Sequence, residues 1–362
     1  MKNRFNRFAK IGGLTALVGA MFVSPVALAK EGEAHVPGIG KVGGEHWVQR
    51  VEVSGVLETE YGSSESFTGT KSSNIGLATV ELAFDAKVNK NVNAHLSFLY
   101  EEGDTAYDVD EGYIDIGLGN FYVQAGRMYV PFGSFETNVV SDPLTLEIGE
   151  TQQTVLRVGG GFGDLTASVY MFNGTTKEAG GDDVADQMGA RINYLSEGKG
   201  STIDVGVDYI NNLDSGAIIG HLAAKTPTTT TLKAYVPATV IYANLSFGSL
   251  HVIFEHLSTD QYDAGEVAFK SKGATIAATN IEVGYDLSIA GVESTVGLAL
   301  QTTEEALALG LPEEKMLIAL SMGIYDETAL SFEYATSTDY AVADGGTGKD
   351  ATSYTVQLAV GF

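Results

Sequence analysis

Apolar and polar residues alternate with a period of two along most of this chain. At the C-terminus, apolar or aromatic side chains occupy every second position, namely Tyr354, Val356, Leu358, Val360 and Phe362. Such alternation gives an extended strand one apolar face and one face of small or polar residues. Sixteen segments share this pattern, and their apolar rows begin at Val51, Val80, Val92, Gly112, Phe121, Leu156, Leu165, Met188, Ile203, Ile241, Leu250, Ile281, Val292, Met316, Leu330 and Tyr354.

The connections between these segments alternate between short and long. Short ones such as NKN at 89–91, FGS at 247–249 and IAG at 289–291 interleave with longer polar stretches. Outer-membrane barrels have tight turns at one end and long loops at the other, whereas a soluble β-sandwich has no reason for such strict alternation. The pattern predicts an all-β fold, a transmembrane antiparallel outer-membrane β-barrel of about 16 strands, whose last strand closes on the first and leaves no edge.

The faces opposite the apolar rows carry many charged residues. A barrel of this width leaves a water-filled lumen, so we expect inward charges to line a pore. The expected pore-lining charges are Arg127, Arg157, Arg191, Asp115, Asp204 and Asp208, and further acids on inward positions are Glu58, Glu101, Glu111, Glu255, Glu282, Glu293 and Glu333. Arg127 needs a β-bulge at Gly126 to point inward, because simple alternation from Phe121 directs it to lipid. Tyrosines and phenylalanines at strand ends, among them Phe172, Tyr235 and Tyr325, are expected to form two interfacial girdles.

The two ends of the chain predict export and barrel assembly. Residues 1–29 read as a signal peptide, with four basic residues, an apolar run and an Ala-Leu-Ala cleavage site. Residues 30–46 are then a short periplasmic N-terminal segment, and residues 47–362 are the barrel. The terminal aromatic Phe362, together with Tyr354, is expected to act as an assembly signal for the outer-membrane assembly machinery, besides belonging to a girdle.

The charge balance and composition exclude several classes of protein. The chain has 21 basic and 46 acidic residues, and removal of residues 1–29 leaves 17 basic residues, for a formal charge of −29. Such an acidic chain is not expected to bind nucleic acid. It has no cysteine, which excludes a disulfide framework and thiolate ligands. No second apolar stretch of about 18 residues follows the signal peptide, so a helical membrane protein is excluded.

The connection at 129–152, between the fifth and sixth predicted strands, differs from the other loops. It combines an apolar trio with four carboxylates, Glu136, Asp142, Glu147 and Glu150. Because such a loop would expose its leucines in solvent, we expect it to fold into the barrel as a channel constriction whose carboxylates select charge. The alternative is an external lid or a contact with a partner chain.

Other motifs give weaker signals for bound groups or catalysis. The glycine cluster GGGFG at 159–163 lacks the strand-to-helix context of a nucleotide site, so we expect a turn and no cofactor. His251 and Glu255 share a strand face and form a possible metal pair, although a single pore-lining histidine is favoured and no metal is expected. In acidic loops such as GDTAYDVDEG we expect solvated carboxylates. The alternative is that these carboxylates bind divalent cations that bridge lipopolysaccharide. No serine or acid can be matched to a histidine at a rim, so we expect no enzyme.

The run from Tyr122 to Gly174, with the barrel pattern from Val51 to Phe362, resembles the LbtU-type siderophore porins of Gram-negative outer membranes. The most specific parts are GRMYVPFGSFETN and the following SDPLTLEIGET, while the G-R…P-F-G piece is also similar to phosphate-selective and general porins. The resemblance implies a sixteen-stranded outer-membrane channel. Iron–siderophore uptake is the function proposed for the founding member of the family, and the resemblance implies it here as well. That family often carries a longer helical N-terminal segment, whereas only KEGEAHVPGIGKVGGEH precedes this barrel.

Two classes of function follow from these patterns. The first is a channel in the outer membrane of a Gram-negative bacterium, for passive or facilitated uptake of small solutes, with ferric siderophore as the solute that the resemblance implies. A variant of this first class is a general or cation-preferring diffusion porin. The second class is a structural or adhesive barrel whose loops bind external partners. Membrane lipid and lipopolysaccharide are expected partners in both cases, and sixteen strands favour the channel because wide barrels leave a lumen.

Overall fold

The computed structural model describes residues 50–103, 106–182, 184–225 and 230–362. The predicted signal peptide and the segment 30–46 lie outside the described residues. Sixteen strands form a closed antiparallel barrel, which confirms the predicted fold. These strands are β1 (Arg50–Glu65), β2 (Lys71–Lys87), β3 (Val92–Tyr100), β4 (Asp108–Leu118), β5 (Phe121–Tyr129), β6 (Gln152–Phe162), β7 (Leu165–Phe172), β9 (Gln187–Gly198), β10 (Ser201–Ile210), β12 (Ala238–Phe247), β13 (Leu250–Gln261), β16 (Thr275–Ile289), β17 (Val292–Glu304), β18 (Glu314–Tyr325), β19 (Thr328–Thr338) and β20 (Asp350–Gly361).

The first and last strands close the barrel along one seam. β1 pairs with β20 from Val56 opposite Gly361 to Glu65 opposite Thr352. Beyond the strand, Gly55 and Phe362 exchange two backbone hydrogen bonds, of 2.9 and 3.0 Å. A Cβ atom on Gly55 would lie 2.5 Å from Cζ of Phe362, so the glycine leaves the space that the terminal ring occupies. From Gly55 to Glu65, β1 is therefore paired with the end of the chain, and over this range neither strand is left as an open edge.

The predicted apolar rows face outward all around the barrel. Large apolar side chains in these rows are exposed, for example Ile114, Val169, Ile192, Leu298 and Leu358. The opposite face holds buried polar side chains such as those of Asp208, Glu255 and Gln357. This inside-out distribution is typical of a barrel in lipid and is the reverse of a soluble β-sandwich.

Short turns and long loops lie at opposite ends of the barrel, here called the turn end and the loop end. Tyr325 and Phe247 are exposed aromatic residues at the turn end, and Tyr61 and Tyr354 are exposed near the loop end. Two residues expected in the aromatic girdles are not there. Phe172 points into the barrel and is 1% exposed, and Tyr235 lies in a loop, where its hydroxyl donates to Asp186 over 2.9 Å.

The loops contain short elements that the period-two pattern did not predict. These are α1 (Leu144–Gly149), α2 (Gly216–Lys225), a parallel pair of β8 (Lys177–Glu178) with β11 (Thr231–Leu232), an antiparallel pair of β14 (Ala268–Phe269) with β15 (Lys272–Gly273), and single 3₁₀ turns at Leu307–Leu309 and Val342–Asp344. None of the helices in the described ranges is long and apolar enough to cross a membrane.

A hydrophobic cluster occupies the loop end on the side of β6 to β16 and is here called the loop-end cluster. It joins strand residues to loop residues, including Phe132, Ile148, Phe172, Ile210, Ile218, Leu222, Leu232, Leu257, Tyr262, Val267 and Ile276. Asp214 ties two of these loops together, because its buried carboxylate accepts hydrogen bonds from the backbone N–H groups of Thr175 and Thr176 over 2.5 and 2.7 Å. Burial raises the pKa of the Asp214 carboxyl in spite of these donors. The loops on this side are therefore a packed cap.

We expect deletion of Phe362 to reduce the amount of folded barrel, because it removes both closing hydrogen bonds and the ring that covers Gly55. The measurement is the fraction of barrel in outer-membrane extracts that keeps its fast, heat-sensitive mobility in detergent gels. Tyr325→Ala is the control, since it removes an exposed aromatic ring at the same end without touching the seam. Equal folded fractions for the two variants would contradict the proposed assembly role.

Candidate functional site

Residues 130–151, here called the interior segment, connect β5 to β6 and run inside the barrel. A hydrogen bond of 2.9 Å from Val130 N to Thr151 O joins the two ends of the segment. Between these ends the chain is deeply buried, with Phe132 1% and Val140 0% exposed. Its polar contacts reach inward-facing side chains of β10, β13, β16, β17 and β19, on the far side of the barrel. The segment therefore lies within the barrel in this structure, and not above its rim.

Four carboxylates on the inner wall hold the backbone of the interior segment. They are Asp208 of β10, Glu255 of β13, Glu282 of β16 and Glu333 of β19. Each accepts hydrogen bonds from one or two backbone N–H groups: Gly133 to Asp208 (2.8 Å), Ser134 and Phe135 to Glu255 (2.6 and 3.1 Å), Asn138 to Glu282 (2.5 Å), and Val140 and Ser141 to Glu333 (2.6 and 2.8 Å). The hydroxyls of Thr137 and Ser141 donate to Glu282 and Glu333 as well.

The order of these contacts gives the path of residues 133–141, here called the belt. As the sequence advances, the belt meets β10, β13, β16 and β19 in turn, so it runs across the strands and around the wall. β10 and β19 are separated by six strand spacings, or roughly 29 Å at about 4.8 Å each. Eight residue steps of extended chain cover roughly 27 Å. Because the belt lies inside the wall, its own path is shorter than this arc, and the positive φ values of Gly133 and Phe135 leave its first residues bent.

The wall under the belt is made of small residues. Asn138 lies so close that a Cβ atom on Gly297 would be 2.1 Å from its carbonyl oxygen, and one on Gly284 would be 2.6 Å from its side chain. Next to it, Val139 packs into a buried cluster with Ala299, Leu317, Ala319 and Ala335. Larger side chains at these positions would push the belt into the lumen, so the small wall residues set how closely it approaches.

Arg191 and Asp208 form an ion pair beneath the start of the belt. The Arg191 guanidinium donates to both carboxylate oxygens of Asp208, over 2.8 and 2.6 Å, and to the Gly133 carbonyl over 2.6 Å. It also lies over the Tyr242 ring, 5.4 Å from the centroid. Asp208 is fully buried, so the expectation that this pair lines an open pore is wrong. Both residues are used to dock the belt, because the pair binds the N–H and the carbonyl of one residue, Gly133.

The four carboxylates predicted to form a constriction are spread along the interior segment. Glu136 lies on the belt, close enough to Asp204 of β10 for the two charges to interact. Asp142 follows the belt and is 4% exposed. Glu147 lies within α1 and Glu150 ends it, and both are half-buried. The structure thus places all four inside the barrel but at different points along the path.

A second group of acids lies on β1 to β3, where three of the four side chains are at most 6% exposed, and is here called the acidic wall. It consists of Glu58 and Glu60 of β1, Glu81 of β2 and Glu101 at the end of β3, and the charge of Glu58 interacts with the other three. Next to it on β3, the His95 ring donates to the Asp85 carboxylate over 2.8 Å and lies 3.9 Å from Glu111. Glu60 and Glu81 were missing from the sequence prediction, although the same alternation that directs Glu58 inward directs them inward too.

The remaining predicted pore-lining charges do not all lie on the same face of the wall. Asp115, Gln124 and Arg157 lie opposite one another on β4, β5 and β6, and Arg157 donates to Gln124 over 3.2 Å. Its guanidinium lies over the Tyr122 ring at 5.2 Å, so this row does face inward.

Arg127 lies on the outer face, and the expected bulge at Gly126 is wrong. The pairing of β5 with β4 and with β6 runs without a register shift past Gly126, so Arg127 keeps the outward direction of Phe121. Arg127 is exposed and donates to Gln152 over 2.6 Å, and Gln152 donates to Asp110 over 2.8 Å. A polar chain therefore follows the outer surface near the loop end.

His251 does not pair with Glu255, which holds the belt. Instead, its ring bridges Ser246 (3.0 Å) and Asp286 (2.7 Å), and Asp286 accepts from Thr295 over 2.7 Å. The row resembles a Ser–His–acid relay that the sequence did not reveal. The backbone around Ser246 is paired on both sides, with β10 and β13, so its N–H groups are used by the sheet and are not available as oxyanion donors. Across the described ranges, no group of three or more potential ligands is placed to hold a metal ion.

Comparison with known sequences finds distant relatives and no matching family. No protein-family model matches the chain. It is 27% identical over 327 residues to a UPF0422 protein of Coxiella burnetii, which covers 86% of this chain and 69% of the relative. It is 25% identical over 353 residues to a UPF0422 protein of Legionella pneumophila strain Lens, covering 86% of this chain and 66% of the relative. The chain thus spans about two thirds of the length of these relatives.

Comparison with solved structures finds outer-membrane porins and channels. An anion-selective porin of Comamonas acidovorans matches with a TM-score of 0.61 and 13% identity, over 86% of this chain and 99% of the porin. OprB of Pseudomonas putida has a TM-score of 0.60 and 11% identity, over 86% and 94%. The channel DcaP of Acinetobacter baumannii has a TM-score of 0.59 and 11% identity, over 86% and 97%. At these identities the similarity establishes a shared fold: this chain has the barrel architecture of the porins.

Proposed function

We propose that this protein is an outer-membrane channel for the passive diffusion of small hydrophilic solutes. The observation that carries the proposal is the interior segment, which crosses a sixteen-strand barrel and is docked on the opposite wall. A barrel of this size is wide enough for a lumen, and a segment held inside it narrows that lumen to a defined passage. An adhesive barrel has no use for such a segment, because its contacts are made by external loops.

The orientation in the membrane follows from the two ends of the barrel. In outer-membrane barrels the short turns face the periplasm and the long loops face outward. The loop-end cluster then covers part of the external mouth, and Phe362 lies at the periplasmic side, where the assembly machinery would meet the seam. Lipid would cover the apolar outer rows, and Arg127 at the outer rim is placed to meet the headgroup region of lipopolysaccharide.

The charge of the interior favours cations over anions. Glu136, Glu147 and Glu150 of the interior segment and Glu81 of the acidic wall are half-buried, whereas Asp142, Glu58, Glu60 and Glu101 are at most 6% exposed and contribute their charge from beneath the surface. At an effective dielectric between that of water and about 20, one carboxylate attracts a monovalent cation about 4 Å away by about 1 to 4 kcal/mol. The overall charge of the chain acts in the same direction but is screened beyond about 8 to 10 Å at physiological salt. The passage itself should therefore decide the selectivity.

Ferric siderophore is the solute that the sequence resemblance implies, and we propose it as the specific cargo. The charges of the interior restrict this cargo, because its carboxylates repel an anionic complex. The cargo that fits is a ferric complex without net negative charge.

Neutralising the four carboxylates of the interior segment should lower the preference for cations. We expect the fourfold variant E136Q/D142N/E147Q/E150Q, and the acidic-wall variant E58Q/E60Q/E81Q/E101Q, each to shift the reversal potential toward zero across a salt gradient in planar bilayers. The control neutralises four exposed acids outside the passage, Asp182, Glu197, Glu304 and Glu327. Equal shifts in all three variants would mean that the bulk charge, and not the passage, determines selectivity.

Loss of the protein should impair growth on a ferric siderophore when iron is scarce, if siderophore is the cargo. The measurement compares a deletion strain with its complemented counterpart on siderophores of positive, zero and negative net charge, each as the single iron source. We expect the defect on the positive and neutral complexes. Unchanged growth on every siderophore would leave a general cation-preferring channel and remove the specific cargo.

A further inference from the structure

The belt has an unusual set of hydrogen-bond acceptors. Within a sheet, a backbone N–H donates to the carbonyl of a neighbouring strand. In the belt, the N–H groups of six residues donate instead to side-chain carboxylates of the wall, and these six are Gly133, Ser134, Phe135, Asn138, Val140 and Ser141. The position of the belt therefore depends on the carboxyl groups of four ionisable side chains.

The local backbone of the belt is shaped to bind anionic oxygens. Phe135 has a positive φ of 55°, which is rare for a residue other than glycine. A change of handedness between consecutive residues turns their N–H groups toward one point, which forms an anion-binding nest. Ser134 and Phe135 accordingly share one oxygen of Glu255, and Val140 and Ser141 share one oxygen of Glu333. Such charge-assisted hydrogen bonds are about twice as strong as neutral ones.

The four carboxylates that hold the belt, those of Asp208, Glu255, Glu282 and Glu333, are here called the anchors. Their charged surroundings differ. Asp208 faces the Arg191 guanidinium, with Tyr170 and Tyr242 nearby. The other three each face a carboxylate: Glu255 faces Asp208, Glu282 faces Glu333, and Glu333 faces Glu60 of the acidic wall as well as Glu282. Glu255, Glu282 and Glu333 thus each lie near another carboxylate, whereas the charge of Asp208 is balanced by its ion pair with Arg191.

We propose that Glu255, Glu282 and Glu333 are positioning residues that latch the belt while they are ionised, and that their protonation releases the belt into the lumen. The inference rests on the proposed channel function. Arg191 and Asp208 keep the first residue of the belt, Gly133, in place, so release begins at the far end, at Val139 to Ser141. A released belt is no longer held flat on the wall, and the passage then changes its width with pH.

The first experiment removes charge from the latch without removing acceptor oxygens. The double variant E282Q/E333Q keeps one carbonyl acceptor at each anchor but loses the charge assistance. We expect its single-channel conductance at about pH 7 to match that of the unaltered protein at about pH 4, where ordinary carboxylates take up protons. Measurement in 1 M potassium chloride reduces the Debye length to about 3 Å, which suppresses simple charge effects of the lumen. Glu293→Gln, an exposed acid near the turn end, is the control and should behave as the unaltered protein.

The second experiment locks the belt covalently. The chain has no cysteine, so the pair V139C/A335C introduces a single possible disulfide between two residues of one buried cluster. In the unaltered protein we expect acidification to change the conductance by roughly twofold, as for a constriction that moves. The oxidised V139C/A335C protein should show no such change, and reduction should restore it. The pair A329C/A359C links neighbouring residues of β19 and β20 away from the belt and should leave the acid response intact.

The outcomes separate the latch from the channel. Conductance that is absent at every pH in all variants would overturn the proposed channel function. Conductance that is present and changes with pH in the same way in the oxidised belt-locked protein, in its reduced form and in E282Q/E333Q would overturn the latch alone.

Discussion

A backbone amide that leaves bulk water must find a hydrogen-bond partner within the protein, and this requirement shapes both the wall and the interior of the barrel. In the wall, the requirement is met by sixteen paired strands and by the seam at which Phe362 meets Gly55. Inside, the belt runs across the strands and so cannot pair with them as a further strand. Its N–H groups are satisfied by Asp208, Glu255, Glu282 and Glu333, and the interior path is fixed by where these four side chains stand.

Nearly all of the wall could be predicted from the sequence, because each wall residue meets either lipid or the interior. Because successive residues of a strand face opposite sides of the wall, the two environments produce a period of two. This period appears within each strand and does not depend on distant residues. The cap at the loop end could not be found in this way. Gly216–Lys225 forms a helix whose Ile218 and Leu222 pack on residues from several other loops and strands, so its apolar content has no period of two and its partners are far away in sequence.

The interior was predictable in part. Alternation correctly directs Glu255, Glu282 and Glu333 inward, and the apolar content of residues 129–152 indicates that this loop avoids solvent. The pairing between the two is invisible in the sequence, since Val140 and Glu333 are 193 positions apart. Inward direction alone also does not distinguish an acid that faces water from one that binds a backbone, and for this reason Asp208 and Arg191 were expected in an open pore. For Arg127 the error was local, because the uninterrupted ladder around Gly126 contains no bulge.

The wall anchors recognise peptide N–H groups, which every residue except proline carries. The docked path of the belt is therefore almost independent of which side chains the belt presents to the passage. Glu136, whose charge interacts with that of Asp204, can be exchanged for a neutral or basic residue while Asn138, Val140 and Ser141 keep the same backbone hydrogen bonds. For a channel of the kind proposed, scaffold and selectivity would thus be separable, and one architecture could be re-engineered for solutes of different charge by altering a few belt side chains without redesigning the wall.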